Sequence, residues 1–564
     1  MKILPRTIAC RPNDPLKHLQ ERRLQDSECG RQTRPNVRFH RVSSLPSRTT
    51  PAIRPVKVYN TLTKTKEEFV PVRPGHVGIY LCGPTVYKPS HIGHMVGPVI
   101  FDTVKRYLGY SGFQVRLVVN ITDVDDKLIA ESNARGIPMA AVAEEMTADY
   151  MANLKAMGVL ENVDDFPKAT GHIGNIVKFV EGLISKGFAY VSEGDVYFDV
   201  SQFDGYGKLS HRSLGDMQGE GGTAAGRKRT PYDFALWKGA KPGEPAWDSP
   251  WGKGRPGWHI ECSVMSKEIL GETFDIHGGG LDLVFPHHEN EVAQSEALHG
   301  CPMAKYWLHN GLMQASSEVG KVGGRNTRSA EEGNIVSQEA GKISKSKGSS
   351  AFRDLLKQVP AETIRFFLLS SHYRRPIDYG MERLQEVGKG LETFYRFFKR
   401  FQKITGNSFY AIDFPKDRLA GDAGPFDPAV KELRTKFIES MDDDFNTGGA
   451  IGVLFDLVRT LNKSIDDDKL ELTANEEQKA TLVRNTTTLK ELCATLGLFL
   501  AEPEEKSDGN DALSGKLMEL LIELRADAKK AKNFTTADTI RDRLKTIGVV
   551  LEDRPGGKTD WSVS

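Results

Sequence analysis

From Val56 to Thr122 the chain reads strand, turn, helix, strand, and this run limits the fold more than any other stretch of the 564 residues. Val77-Gly78-Ile79-Tyr80-Leu81 is a continuous apolar run, as expected of a strand buried on both faces, and Cys82-Gly83-Pro84 ends it with a turn signal. His91 onward, through Ile100-Phe101 and Val104 to Tyr107-Leu108, has helical spacing, and Val115–Asn120 is a second valine-rich strand. The pattern predicts a βαβ unit within a parallel sheet, with nucleotide binding at the strand ends.

Two distant cysteines, Cys82 and Cys262, combine with Phe285-Pro286-His287-His288-Glu289-Asn290-Glu291 to suggest a metal. Zinc takes four ligands drawn from thiolate, imidazole and carboxylate. Proline is at home in the first turn of a helix. A helix opening at Pro286 would put His287 and Glu291 on one face, four residues apart. His288 with Glu291, at spacing three, is an alternative pair. The spacing is not that of a zinc finger, and free cysteine is among the most buried residue types. On spacing alone, two buried small hydrophobes are the better reading of the cysteines.

Two further motifs point to a nucleotide. His91-Ile92-Gly93-His94 opens a helix directly after a strand and turn, where imidazoles and the helix end can meet phosphates and the glycine admits close approach. Lys342-Ile343-Ser344-Lys345-Ser346 follows a polar stretch, 315–341, that lacks periodicity and reads as a mobile surface loop. Taken singly, each motif is weak; a charged turn is usually just solvated.

Their order, however, resembles the cysteinyl-tRNA synthetase family of class I aminoacyl-tRNA synthetases. The resemblance runs through Cys82-Gly83-Pro84-Thr85-Val86-Tyr87 and His91–His94, then Asn120-Ile121-Thr122-Asp123-Val124-Asp125-Asp126-Lys127. It continues in Gly257-Trp258-His259-Ile260-Glu261-Cys262, Phe274-Asp275-Ile276-His277-Gly278-Gly279-Gly280, Phe285–Glu291 and Lys342–Ser346, and covers roughly 56–564. It implies zinc ligands Cys82, Cys262, His287 and Glu291, with one Zn2+ per chain. His91, His94 and Lys345 carry over as ATP-site residues, with Lys342 as a helper and Mg2+ accompanying ATP. Gly83, Thr122, Trp258 and His277 match positions lining a cysteine pocket. The implied partners are tRNA(Cys), ATP and L-cysteine, and the implied state is a monomer. The sequence departs from the family at Ile343, where methionine is usual, in the longer connection 315–341, and in Lys347-Gly348-Ser349-Ser350-Ala351-Phe352.

The expected fold is an α/β Rossmann-like core with a zinc site and insertion, then an all-α tRNA-binding region and a small C-terminal α/β domain. Its parts are an extension at 1–54; a catalytic domain at 55–340 with an insertion at about 150–257; and a lysine-signature and stem-contact region at 341–390. A helical anticodon-binding bundle at 391–505 and a C-terminal domain at 506–564 follow. Residues 203–257 read as irregular, being rich in Gly, Pro and charge. Helices are expected at Ala140–Met157, about 428–500 and about 513–547, with a short strand at 548–553.

With a net charge of +1, any nucleic-acid contact must use local patches. The candidates are Tyr395–Lys403 and the cluster Lys529, Lys530, Lys532 and Arg541, although Phe394, Phe398 and Phe401 read as core. No apolar run is long enough to span a bilayer. Six scattered cysteines suit a reducing compartment. The first 54 residues hold ten arginines and four acidic residues. That composition resembles an organellar transit peptide, for mitochondrion or plastid, but early prolines and acidic residues favour a disordered leader on a cytoplasmic enzyme. Two rival readings share the motifs: a zinc-dependent ligase joining cysteine to an amino-sugar, and a zinc RNA-binding module without catalysis.

Overall fold

The computed structural model describes residues 55–213, 226–315, 351–421, 427–503, 511–554 and 558–563. The arginine-rich leader, the polar stretch 316–341 and Lys342–Ser346 lie outside the described residues.

The expected βαβ unit is present. After a small antiparallel pair, β1 (Lys57–Asn60) and β2 (Thr65–Glu68), come β3 (His76–Leu81), α1 (Gly93–Tyr110) and β4 (Gln114–Val119). Then follow α2 (Asp126–Arg135), α3 (Met139–Ala156), α4 (Ile173–Ser185), β5 (Ala189–Ser192), β6 (Asp195–Phe198), β7 (Phe234–Gly239) and β8 (Gly254–Pro256). Next are α5 (Trp258–Leu270), β9 (Phe274–Gly280), α6 (Glu289–His299), β10 (Ala304–Asn310) and β11 (Met313–Ala315). The main sheet runs β10-β9-β3-β4 with every pairing parallel. Ile79, Tyr80, Leu117, Val118, Ile276 and Trp307 are all buried in it, which is why its strands read as apolar runs and not as alternations. The carboxyl ends of β3, β4 and β9 lie on one edge, where parallel α/β sheets place ligands.

The insertion corrects one expectation. Residues 203–257 were expected to be irregular, but β7 and β8 complete an antiparallel sheet ordered β5-β6-β7-β8. All three residues of β8 are buried and β7 does not alternate cleanly, so the period-two signal of a half-exposed strand never arises. A second correction concerns Pro286. Phe285 is extended, a π-type turn closes over Val284–His288, and the α-helix proper begins at Glu289. His287 and Glu291 still share a face, because the helical path continues through the turn.

The C-terminal half is helical, as expected. It contains α7 (Phe352–Leu356), α8 (Ala361–Leu369), a short β12 (Ile377–Tyr379) paired with β11, and the long α9 (Met381–Thr405). After these come α10 (Arg418–Gly421), α11 (Pro428–Asp442), α12 (Thr447–Asp467), α13 (Leu470–Thr473) and α14 (Glu476–Thr495). Phe394, Phe397, Phe398 and Phe401 of α9 are buried, and Phe398 stacks on Phe409 at 3.8 Å, so these rings are core. Arg400, from the same basic stretch, is paired with Glu471 at 2.9 Å and Asp466 at 2.5 Å.

Polar contacts join this bundle to α1 and β1 of the catalytic half. The hydroxyl of Tyr107 donates to Asp442 at 2.6 Å, and that of Tyr110 to Glu491 at 2.6 Å. Asp444 accepts from the Tyr59 N–H at 2.8 Å and the Tyr373 hydroxyl at 2.9 Å. Last come α15 (Asp511–Lys530), α16 (Phe534–Thr546) and the hairpin β13 (Val549–Asp553) with β14 (Thr559–Val563). Lys529 pairs with Asp553, Lys530 with Asp527 and Arg541 with Asp538. No described helix is long and apolar enough to cross a membrane.

Candidate metal and substrate site

Cys82 is the first residue past β3, and its N–H donates to Gly278 O of β9 at 3.1 Å. Cys262 lies in the second turn of α5, and His287 and Glu291 enter from the turn and first residues of α6. All but Cys82 are buried. The ligand atoms of these four residues lie within 4.8 Å of one another. The two sulfurs are 3.6 Å apart, Cys82 Sγ is 3.6 Å from Glu291 Oε1, and His287 Nε2 is 3.0 Å from the same oxygen. Tetrahedral zinc with Zn–S bonds of about 2.3 Å would separate two sulfurs by about 3.7 Å. The donor set therefore fits zinc in both chemistry and spacing.

The alternative histidine is also close. Cys82, His277, His288 and Glu291 form a second group within the same limit. His288 Nε2 is 3.3 Å from Cys82 Sγ, but its Nδ1 is engaged with His309 Nε2 at 2.8 Å, and His309 Nδ1 meets Thr61 Oγ1 at 2.8 Å. His277 is fully buried, stacked on Trp307 at 4.5 Å, with Nε2 2.8 Å from Glu291 Oε2. Glu291 thus divides its oxygens, Oε1 toward His287 and Cys82, and Oε2 toward His277. Such support fixes a ligand's orientation.

The charges in this pocket are complementary. Burial alone would raise the pKa of Glu291, but His277 and His287 outweigh it and hold the carboxyl at about 2. Burial would lower that of His287, yet Glu291 and Cys262 lift it to about 10. Burial opposes ionisation of Cys262 as well, but hydrogen bonds from Cys82 and His287 bring its thiol down to about 6. Cys82 is pushed up, by burial first and then by its bond to Cys262. His309 is driven down to about 3 by burial and the neighbouring His277.

The other sequence-derived residues surround this cluster. Trp258, half-exposed, stacks on His287 at 4.1 Å and borders a cleft of about 930 Å³ that also touches Thr85, Lys127 and Asn290. Gly83 N–H donates to Asn120 Oδ1 at 2.8 Å, and Thr122 is buried beside it. A Cβ on Gly83 would lie 1.8 Å from Asn120 O, so only glycine fits there. Gly83→Ala is expected to cost about 1–3 kcal/mol of stability, checked by urea unfolding, and to weaken cysteine binding by pushing the strand ends apart.

His91 and His94 sit at the start of α1 with rings stacked at 3.9 Å, and His91 Nδ1 accepts from the Gly93 N–H at 3.1 Å. Lys342 and Lys345 lie outside the described residues; the nearby Phe352 N–H donates to Ser90 O at 2.7 Å, one residue from His91. Sequence reasoning missed His259, whose Nδ1 is 2.9 Å from His287 Nδ1, and the His288–His309 pair. His309 lies on β10, a strand the sequence reading had not identified. The alternating histidine and tryptophan of Trp307-Leu308-His309 was the signal available.

Residues 68–323 match the family model described as "tRNA synthetases class I (C) catalytic domain", and 436–501 match "DALR domain". The cysteine–tRNA ligase of Geobacter sulfurreducens is 45% identical over 524 residues, covering 90% of this chain and 99% of that one. That of Heliobacterium modesticaldum is 44% identical over 508 residues, covering 89% and 98%. Among solved structures, Mycobacterium tuberculosis methionyl-tRNA synthetase in complex with methionyl-adenylate aligns at 14% identity and TM-score 0.49, covering 75% and 89%. With relatives this similar along nearly its whole length, the chain belongs to the cysteine–tRNA ligase family of class I synthetases.

Proposed function

We propose that this protein activates L-cysteine with ATP and transfers it to tRNA(Cys). The observation that carries this reading is the set Cys82, Cys262, His287 and Glu291, gathered at the carboxyl edge of a parallel sheet in a chain alignable with cysteine–tRNA ligases over 90% of its length.

The reaction has two steps. A carboxylate oxygen of cysteine bonds to the α-phosphorus of ATP as the bond to the β-phosphate oxygen breaks, giving cysteinyl-adenylate and pyrophosphate. The 2′-hydroxyl of the terminal adenosine then attacks the carbonyl carbon, AMP leaves, and the hydroxyl proton passes to solvent. Neither step needs a protein nucleophile, so the residues act by positioning and charge. His91 and His94, at the N-terminal end of α1, and Lys345, with Lys342 beside it, hold the triphosphate and stabilise charge moving onto pyrophosphate, Mg2+ accompanying the nucleotide. Gly83, Thr122, Trp258 and His277 shape the cysteine pocket.

A zinc ion held by Cys82, Cys262, His287 and Glu291 would supply a soft Lewis-acid contact that prefers the substrate's thiolate to serine's hydroxyl. The helical bundle and the C-terminal domain take the tRNA, the latter exposing Phe534 and Trp561 as stacking surfaces. In this reading the enzyme is a cytoplasmic monomer.

Cysteine-dependent exchange of pyrophosphate into ATP, followed by charging of a tRNA(Cys) transcript, tests the reading. Both should occur with cysteine and neither with serine. An enzyme that exchanges but does not charge points to the amino-sugar ligase, and absence of exchange overturns the catalytic reading.

A further inference from the structure

Past β6, residues 206–212 leave the insertion sheet and lie along the start of α6. Tyr206 packs against the insertion's own core, while Leu209 is buried in the main core that also holds Cys262. The stretch closes on itself, Arg212 N–H donating to Gly207 O at 3.2 Å. It wraps the fully buried carboxylate of Glu289. Oε1 accepts from the N–H of Gly207 at 3.0 Å and of Leu209 at 3.4 Å, and Oε2 accepts from the N–H of Ser210 at 2.7 Å. Around this centre the Tyr206 hydroxyl donates to Asn290 Oδ1 at 2.5 Å, Lys208 pairs with Glu296, and the Arg212 guanidinium lies 4.8 Å from the centre of the Phe285 ring.

A helix turns about 100° per residue, so Glu289 lies roughly opposite the face shared by His287 and Glu291. The start of α6 is thereby gripped from two sides, with the candidate ligands on one and residues 206–212 on the other. Burying a carboxylate is costly unless its oxygens meet donors. Here the donors are backbone N–H groups, whose directions are fixed by the path of the chain that carries them. An apolar side chain could fill the same space but would not fix the angle. The insertion also reaches the other ligand-bearing helix: Gly257, capping α5, donates its N–H to Leu236 O of β7 at 2.9 Å.

We propose that Glu289 is a positioning residue and residues 206–212 a clasp. Together they hold the turn carrying His287 and Glu291 at the angle a metal needs, so that closing the clasp and binding the metal assist each other. This coupling rests on the reading of Cys82, Cys262, His287 and Glu291 as zinc ligands. It gives the insertion a part in substrate discrimination, because the ion that separates thiol from hydroxyl is seated by it. Tyr206, Phe285 and Asn290 also line the cleft beside Trp258, so the clasp forms part of that cleft's wall.

Two measurements on the full-length protein test the coupling: zinc affinity by competition with a chelator, and hydrogen exchange of the Gly207, Leu209 and Ser210 amides. In Glu289→Gln the shape is kept but an NH2 group faces backbone donors. Zinc should bind about ten- to a hundredfold more weakly, the usual loss when the support of a ligand is removed. Coupling between two sites is reciprocal. Zinc should therefore slow exchange of the three amides in the wild type, and they should exchange faster in the zinc-loaded variant than in the zinc-loaded wild type. Tyr206→Phe leaves Glu289 in place and serves if the first variant fails to fold; it should lose about two- to tenfold in zinc affinity, the worth of one hydrogen bond. Arg365→Ala weakens the fold away from the clasp and should leave both readouts at wild-type values. An equal loss there would reduce Glu289 to general stability and overturn the proposal. Unchanged zinc affinity in Glu289→Gln, or wild-type amides indifferent to zinc, overturns it too while leaving the metal site standing. A wild type that takes up no zinc overturns the metal reading, and the clasp with it.

Discussion

Cys262→Ser is expected to lose its zinc and to raise the KM for cysteine by on the order of a hundredfold or more, with the KM for ATP unchanged. Serine keeps the size of the side chain but replaces a thiolate donor with a hydroxyl, a poor ligand for zinc. Cys262 is fully buried with its sulfur 3.6 Å from that of Cys82, so the two thiols form one side of the donor set. Removing Cys262 therefore takes away one of the two sulfur donors and leaves His287 and Glu291 paired with each other at 3.0 Å. Without the metal the pocket distinguishes cysteine from serine by size and polarity alone, which yields only about a hundredfold. Metal analysis of the purified variant and exchange kinetics measure both effects. A variant with full zinc content and wild-type KM would show that these four residues do not hold the ion.

The second large effect is on stability. Arg365 of α8 is buried and paired with the buried Asp102 of α1, and it also donates to Leu496 O at 2.9 Å and Met157 O at 3.1 Å. Arg106 holds the same Asp102 oxygen from one turn away at 2.9 Å. A Cβ on Gly497 would lie 2.2 Å from the guanidinium, and the glycine's φ is +67°, so the chain beyond α14 is shaped around this arginine. Arg365→Ala should cost about 3–5 kcal/mol, because it leaves a buried carboxylate with only one of its two arginines, Arg106.

The pH dependence has a definite sign. Burial raises the pKa of Asp102, but Arg365 and Arg106 overcome this and hold it below the ordinary value. A depressed carboxylate contributes stability above its unfolded pKa of about 3.9 and loses it as pH falls through the folded value. The gap between wild type and variant should be full at pH 7 and should narrow below about pH 4. Urea unfolding across that range measures it. A difference under about 1 kcal/mol at neutral pH would mean that the pair contributes little to the union of sheet and bundle.

The legible parts of the chain were those with a local period. The βαβ unit was visible because β3 and β4 are buried on both faces and therefore apolar throughout, while α1 shows its spacing over five turns. The phenylalanines of α9 read correctly as core for the same reason. β7 and β8 were not visible, since each is short and gains its hydrogen bonds from distant segments: β7 from β6, more than 30 residues earlier, and β8 from β7 across the intervening turn region. β14 was missed likewise: five residues, mostly exposed, given order by pairing with β13.

For the candidate site, the sequence by itself narrowed the partner of Glu291 to His287 or His288, because helical geometry converts spacings of four and three into a shared face. It also determined the order of motifs that marks the family. It did not determine that Cys82 and Cys262 meet, and spacing alone favoured two unrelated buried thiols. Only the tertiary structure brought their sulfurs to 3.6 Å, by placing α5 against the end of β3. It also added His277 behind Glu291 and tied His288 to His309, contacts whose partners lie 14 and 21 residues apart. The physical reason is the reach of each cue. Periodicity and capping act within a turn or a strand, whereas a metal-competent cluster depends on packing between elements whose separation along the chain carries no geometric information.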